Sequence, residues 1–295
     1  MAEVIQYWSR ETQKLETELV YGDAMVKFLY GSKLGQFAAN SVLSRAFVSK
    51  AYGALQSAPT SRKKIPPFIK NFKIDMNEFE AQDFGSFNDF FIRKFKPAAR
   101  PLEKSENKMA AFTEARYFGY AKMSSDTRIP VKSECLSPRA LLANEKLSEQ
   151  FAGGPLLLAR LCPVDYHRFH FPDDGRFLDH YRVAGGLHSV NPLALKFRGD
   201  IFATNERQVS ILETVNFGTL AYIEVGAICV GLIVQTHSNQ GTFGRGEEKG
   251  YFLFGASTVI VLGQSGAWTP SVDILKQTAE GFETLVRLGS EVAHR

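Results

Sequence analysis

Gly250-Tyr251-Phe252-Leu253-Phe254-Gly255-Ala256-Ser257-Thr258-Val259-Ile260-Val261-Leu262 is dominated by aromatic and β-branched residues and is broken once, at Gly255-Ala256-Ser257. That composition predicts β-structure on both sides of a small-residue interruption. On local pattern alone the interruption is a bulge, or a bend where backbones come close. The polar, glycine-rich run Phe243 to Gly250 delivers the chain to this stretch. It is not a phosphate-binding loop, because no Gly-Lys-Ser/Thr follows at the required spacing.

Working outward, Ala221 to Val234 reads as strand with closely placed glycines, and Glu224 within it is expected to face outward. Pro155-Leu156-Leu157-Leu158-Ala159-Arg160-Leu161 reads as a buried strand. It leads into Cys162-Pro163-Val164-Asp165-Tyr166-His167-Arg168-Phe169-His170, where two histidines stand three apart. On a regular strand odd spacing sends them to opposite faces, so a shared metal is not expected, and adding Cys162 restores no standard zinc spacing. Locally, one histidine on the surface and one satisfied in the core explains the pair equally well. Asp273 to Arg295 has helical spacing at Ile274, Leu275, Ala279, Phe282 and Leu285.

Before residue 86 the pattern is helical to about Lys70. Leu34, Phe37, Ala38, Val42, Ala46 and Phe47 recur at helical spacing. Ser61-Arg62-Lys63-Lys64-Ile65-Pro66-Pro67 follows, where paired prolines are expected to end a helix. The cations are either a solvated linker or a surface for anionic lipid, each worth about 1 kcal/mol beside such a surface. In Ser86-Phe87-Asn88-Asp89-Phe90-Phe91, Ser86 is expected to cap a helix whose phenylalanines face a core and which Pro97 stops. By itself this segment indicates packing.

The chain of 295 residues carries a net charge of +4, too little to indicate nucleic acid as a partner. No apolar run reaches the length of a membrane span; Leu220 to Val234 is too short and contains Glu224. Three widely spaced cysteines, Cys135, Cys162 and Cys229, read as reduced thiols of a cytoplasmic protein.

Several segments in order carry a resemblance. They are Phe87-Asn88-Asp89-Phe90-Phe91-x-Arg93, Lys96-Pro97-x-x-Arg100-Pro101, Asp165-Tyr166-His167-Arg168-x-His170-x-Pro172 and Val190-Asn191-Pro192. Glu224-Val225-Gly226-Ala227 and Glu248-Lys249-Gly250-Tyr251-Phe252, leading to Gly255-x-Ser257-Thr258, complete the set. Together they resemble the phosphatidylserine decarboxylase family, from about Tyr30 to the expected C-terminal helix.

The resemblance implies a proenzyme that cuts itself between Ala256 and Ser257, giving a large chain of residues 1–256 and a small chain beginning at 257. The Ser257 hydroxyl would attack the Ala256 carbonyl, and the resulting ester would eliminate and hydrolyse to a pyruvoyl group. A ketone beside an amide condenses with a substrate amine and accepts the electrons freed by loss of CO2, so neither a metal nor an external cofactor is implied. His170 matches the family's base and His167 a second histidine that positions or protonates substrate. Glu114 falls on the family's aspartate and Ala256 on its glycine. Glutamate has one more methylene, and a shift near 1 Å costs on the order of 100-fold. Alanine resists the positive φ that glycine permits.

The implied substrate is phosphatidylserine, giving phosphatidylethanolamine. A soluble amino-acid-type substrate, an unprocessed relative using Ser257, His170 and Glu114 for acyl transfer or hydrolysis, and lipid binding alone remain alternatives. The expected architecture is α+β, with an N-terminal helical region at 1–85 and a mainly antiparallel, β-rich catalytic domain at 86–295. A homodimer with peripheral membrane contact is expected.

Overall fold

The computed structural model describes residues 5–19, 53–123, 136–190, 192, 195, 200–227, 233–254 and 257–295. The amphipathic pattern at 34–47, Cys135, Asn191, Cys229, Gly255 and Ala256 lie outside the described residues.

Its strands are β1 (Gln6–Ser9), β2 (Lys14–Thr17), β3 (Lys108–Ala110), β4 (Ala115–Tyr120), β5 (Leu156–Leu161), β6 (Arg168–His170), β7 (Gly175–Val183) and β8 (Arg207–Thr214). They continue with β9 (Gly218–Val225), β10 (Ile233–Gln235), β11 (Thr242–Phe243), β12 (Glu248–Phe252), β13 (Ser257–Gly263), β14 (Thr269–Pro270), β15 (Glu283–Val286) and β16 (Glu291–His294). The helices whose ends both lie among the described residues are short: α1 (Ile65–Phe72), α2 (Phe87–Phe91), α3 (Pro138–Leu142), α4 (Glu145–Gln150), α5 (Ile201–Thr204) and α6 (Val272–Ala279).

Among the described residues ten strands form one sheet in the order β11-β7-β8-β9-β13-β5-β4-β15-β1-β2, and six others form two three-stranded sheets, β10-β12-β6 and β14-β16-β3. Every described pairing in the large sheet is antiparallel except β1 with β15. The fold is α+β, as the sequence indicates. β13 sits in the middle, between β9 and β5, with all seven residues buried. Burial on both faces explains its unbroken apolar run. The interruption before it has a topological cause. β12 belongs to a small sheet and β13 to the large one, so the chain changes sheet between Phe252 and Ser257. Ser257 is the first residue of β13, opposite Leu161.

Three helical expectations need correction. Gln6–Ser9 and Lys14–Thr17 are strands, not helix, and extend the large sheet through β15. Tyr7 and Ser9, two apart, are the buried residues of β1, the period of a strand. Pro66 and Pro67 open α1 rather than ending a helix; a first-turn proline gives up an N–H that has no intrahelical partner there. The C-terminal helix stops at Ala279, Gly281 turns the chain at φ 87°, and the rest forms β15 and β16. The Ser86 cap is present, its Oγ accepting from the Asp89 N–H at 3.2 Å, but α2 ends at Phe91, before Pro97.

The main core lies on the large sheet. A second cluster joins Ile65 and Phe68 of α1, Phe87, Phe90 and Phe91 of α2, Phe84, and Phe254 from the sheet-changing link.

Candidate active site

Ser257 is fully buried, and its Oγ lies 3.4 Å from Nδ1 of His167. The other ring nitrogen, Nε2, is 2.8 Å from the Cys162 carbonyl. A carbonyl only accepts, so Nε2 carries the proton and Nδ1 is left as an acceptor facing the serine hydroxyl. Burial lowers the His167 pKa to about 3, the Cys162 carbonyl opposing and the Arg93 cation assisting the shift. The imidazole is therefore neutral at physiological pH. The Phe91 ring stacks on it at 3.8 Å between centroids.

The loop presenting His167 is held from below. Asp165 accepts from the Cys162 N–H at 2.7 Å and from Arg116 at 2.5 Å. Glu18, just beyond β2, is 3.1 Å from Arg116 and 2.7 Å from Arg160. Arg160 also grips Glu283 of β15 and touches the Cys162 sulfur at 2.9 Å. All these side chains are nearly or fully buried. Burial alone would raise the Glu18 carboxyl, but Arg160 and Arg116 outweigh it and leave the group at about 2.

His170 stands apart from this contact. Its Nδ1 faces the Gly246 carbonyl at 3.0 Å and its Nε2 faces the Tyr166 hydroxyl at 3.1 Å. Gly246 has φ of +79°, a conformation that favours glycine. Burial lowers the His170 pKa as well. Glu114 is drawn elsewhere: both carboxylate oxygens take the Arg100 fork, one of them at 2.9 Å, and the Leu288 N–H donates to it at 3.2 Å. Arg100 binds Glu78 as well, and the group borders a cavity of about 330 Å³ whose wall also includes Arg10 and Arg287. Thus Ser257 and His167 are brought together, whereas His170 and Glu114 each have other partners. Ala256 is not described.

Glu224 does not face outward, as expected from its strand alone. It is fully buried and bonded at 2.6 Å to Lys249, whose Nζ also donates to Gln235. A buried charge needs such a partner. Among the described residues no group of three or more His, Cys, Asp or Glu is placed to hold a metal ion.

Sequence reasoning missed Asn88, Phe91, Glu18, Arg116 and Arg160 around this site. The first two fell inside a quoted motif but looked like packing. The others carry no local signal, since their partners are distant in sequence.

The sequence profile of the family described as phosphatidylserine decarboxylase matches residues 87–294. Similar proteins include the phosphatidylserine decarboxylase proenzyme of Clostridium perfringens (strain SM101 / Type A), 38% identical over 294 residues, covering 99% of this chain and 100% of the relative. The protein of the same description from Clostridium novyi (strain NT) is 39% identical over 291 residues, covering 98% and 99%. That from Ruminiclostridium cellulolyticum is 38% identical over 293 residues, covering 99% and 98%.

Proposed function

The chain belongs to the phosphatidylserine decarboxylase family, whose members are carboxy-lyases, and we propose that it decarboxylates phosphatidylserine after cutting itself before Ser257. The observation that carries this reading is the contact between a buried serine hydroxyl at the sheet-changing link and the free acceptor nitrogen of a neutral imidazole.

In the first step His167 Nδ1 takes the hydroxyl proton as Ser257 Oγ attacks the carbonyl carbon of residue 256. The bond from that carbon to the Ser257 nitrogen breaks, an ester forms, and the proton passes to the departing amine. Loss of the Ser257 Cα proton then expels the new carboxylate of residue 256, and water replaces the nitrogen, which leaves as ammonia. General-base help of this kind is worth roughly 100- to 10,000-fold. A base held near pKa 3 is always ready but weak, so a slow cut is expected.

The residues present fit the pyruvoyl group that would result. Its precursor is fully buried, and the neighbouring Thr258 hydroxyl is buried with no hydrogen-bond partner among the described residues. The group supplies an electron-accepting ketone for the decarboxylation. The chain's own contribution is to exclude water through Phe91 and Phe254 and to hold a proton-transferring nitrogen, His167 Nδ1, at position 257.

Peripheral contact with the lipid surface is part of the proposal. Arg62, Lys63 and Lys64 are all exposed on one short helical turn, and nearby Leu55 is 65% exposed. No described helix is long and apolar enough to cross a membrane.

The test is release of CO2 from carboxyl-labelled phosphatidylserine in detergent micelles. Wild-type protein is expected to release it and Ser257→Ala to release none; equal release by both overturns the proposal.

A further inference from the structure

α2 touches both halves of the Ser257 site. Asn88 is 2% exposed, and its Oδ1 accepts from the backbone N–H of Phe254 at 2.9 Å. Phe254 stands three residues before Ser257, on the link that carries the chain from β12 to β13. Its ring is wedged against Phe87 at 5.0 Å and Phe91 at 4.9 Å. Phe91 in turn is the ring stacked on His167. Five consecutive residues therefore hold the approach to the nucleophile by a hydrogen bond and the imidazole by a ring contact.

The helix that does this is itself fixed. Its first N–H, at Phe87, donates to Ser61 Oγ at 2.8 Å, and Ser86 caps it. The Asn88 amide group donates to Ser57 Oγ at 2.9 Å and to the Gly53 carbonyl at 3.3 Å, so three of its hydrogen-bonding positions are used. A buried side chain that spends its only acceptor on one backbone N–H sets where that backbone runs.

We propose that Asn88 is a positioning residue for self-cleavage: through Phe254 it sets the path of the link so that Ser257 Oγ meets an imidazole already fixed by Phe91. This rests on the reading of Ser257 as the cut site. Asn88 touches neither reacting atom; it acts through the backbone three residues away. An error of about 1 Å at the reacting atoms costs on the order of 100-fold, and an unanchored Phe254 permits an error of that size.

The experiment follows appearance of the small chain over time in freshly made full-length protein. Asn88→Leu keeps the size and loses the acceptor; it is expected to cut at least about tenfold more slowly. Asn88→Asp keeps an acceptor for the Phe254 N–H and is expected to recover most of the rate. Ser57→Ala removes only the second arm and is expected to cut at close to the wild-type rate. Hydroxylamine, which cleaves an accumulated ester, is expected not to rescue Asn88→Leu, because the ester is what fails to form.

Wild-type rates in Asn88→Leu overturn the proposal. So does an Asn88→Asp protein as slow as Asn88→Leu, a Ser57→Ala protein equally slow, or full rescue by hydroxylamine. If Asn88→Leu does not fold, Asn88→Asp and Ser57→Ala decide the matter by the same criteria. A wild-type protein that never cuts removes the reading of Ser257 and this proposal together, whereas cutting at the same rate in wild type and Asn88→Leu removes this proposal alone.

Discussion

Burial holds the His167 imidazole near pKa 3, against roughly 6.5 when unfolded, and this has a consequence for stability. Below pH 6.5 the unfolded chain takes up a proton that the folded chain refuses. Stability is therefore present above pH 6.5 and lost as pH falls toward 3, by up to ~1.4 kcal/mol per pH unit. His170, also lowered, adds to the loss in the same direction. In a Ser257→Ala background, His167→Gln is expected to flatten the dependence of unfolding free energy on pH between 6.5 and 4.5; an unchanged slope contradicts the assignment. The cut itself is expected to run at a flat rate from pH 5 to 8, since Nδ1 is already free. A rise centred near 6.5 would show a base with an ordinary pKa. His167→Ala is expected to abolish both cutting and decarboxylation, while His170→Ala, which leaves the Ser257 contact in place, retains measurable cutting. The reverse pattern assigns the base to His170, as the family resemblance implies. The resemblance points to His170 as the base, while the contact between His167 and Ser257 was not legible in the sequence. The spacing of the two histidines places them on different sides, but which side Ser257 occupies depends on a loop shaped by Asp165 and Arg116. For Glu114 the sequence did not show the partner that the structure gives it, the Arg100 guanidinium.

At the scale of elements, the parts readable from sequence were those whose signal is local. β5 announces itself by the apolar run Leu156 to Ala159, β13 by Val259 to Leu262, and α2 by its Ser86 cap. β1 and β2 do not, because β1 owes its strand character to pairing with β15, more than 270 residues away, and β2 to pairing with β1. That pairing carries Glu18 to the buried arginines beneath the His167 loop. Truncating one member of such a cluster leaves an uncompensated buried charge, which typically costs about 3–5 kcal/mol. Glu18→Gln is accordingly expected to lower stability by about that amount, and to slow the cut by loosening the Asp165 loop. Glu213→Ala, which removes an exposed pair with Arg176, is expected to leave stability nearly unchanged. Thermal or urea unfolding compares the two; equal, small effects would show that the buried cluster does not hold the hairpin. The acid limb offers a second check. Glu18 sits at about 2 instead of 4.5, so its contribution is present above pH 4.5 and disappears as pH falls toward 2.

At the scale of the molecule, the N-terminal hairpin and the C-terminal strands share one sheet, and Arg10 of the hairpin binds Asp273 of α6 at 2.6 Å. Residues that precede the helical pattern thus support the site formed near the other end of the chain. The exposed cations at 62–64 sit next to α1, whose buried Ile65 and Phe68 join the aromatic cluster around Phe254. Surface attachment there is expected to weaken with salt, and reversing the three charges is expected to reduce flotation with anionic liposomes; unaltered binding removes the electrostatic part of the reading. The central claim, that Ser257 becomes a blocked chain terminus, is tested most directly by the intact mass of purified protein. The account predicts two chains, residues 1–256 and residues 257–295, the smaller lighter by one ammonia than a serine-initiated chain and gaining one ketone. It predicts a single full-length chain for Ser257→Ala. A wild-type protein that is one full-length chain and still decarboxylates phosphatidylserine would contradict it.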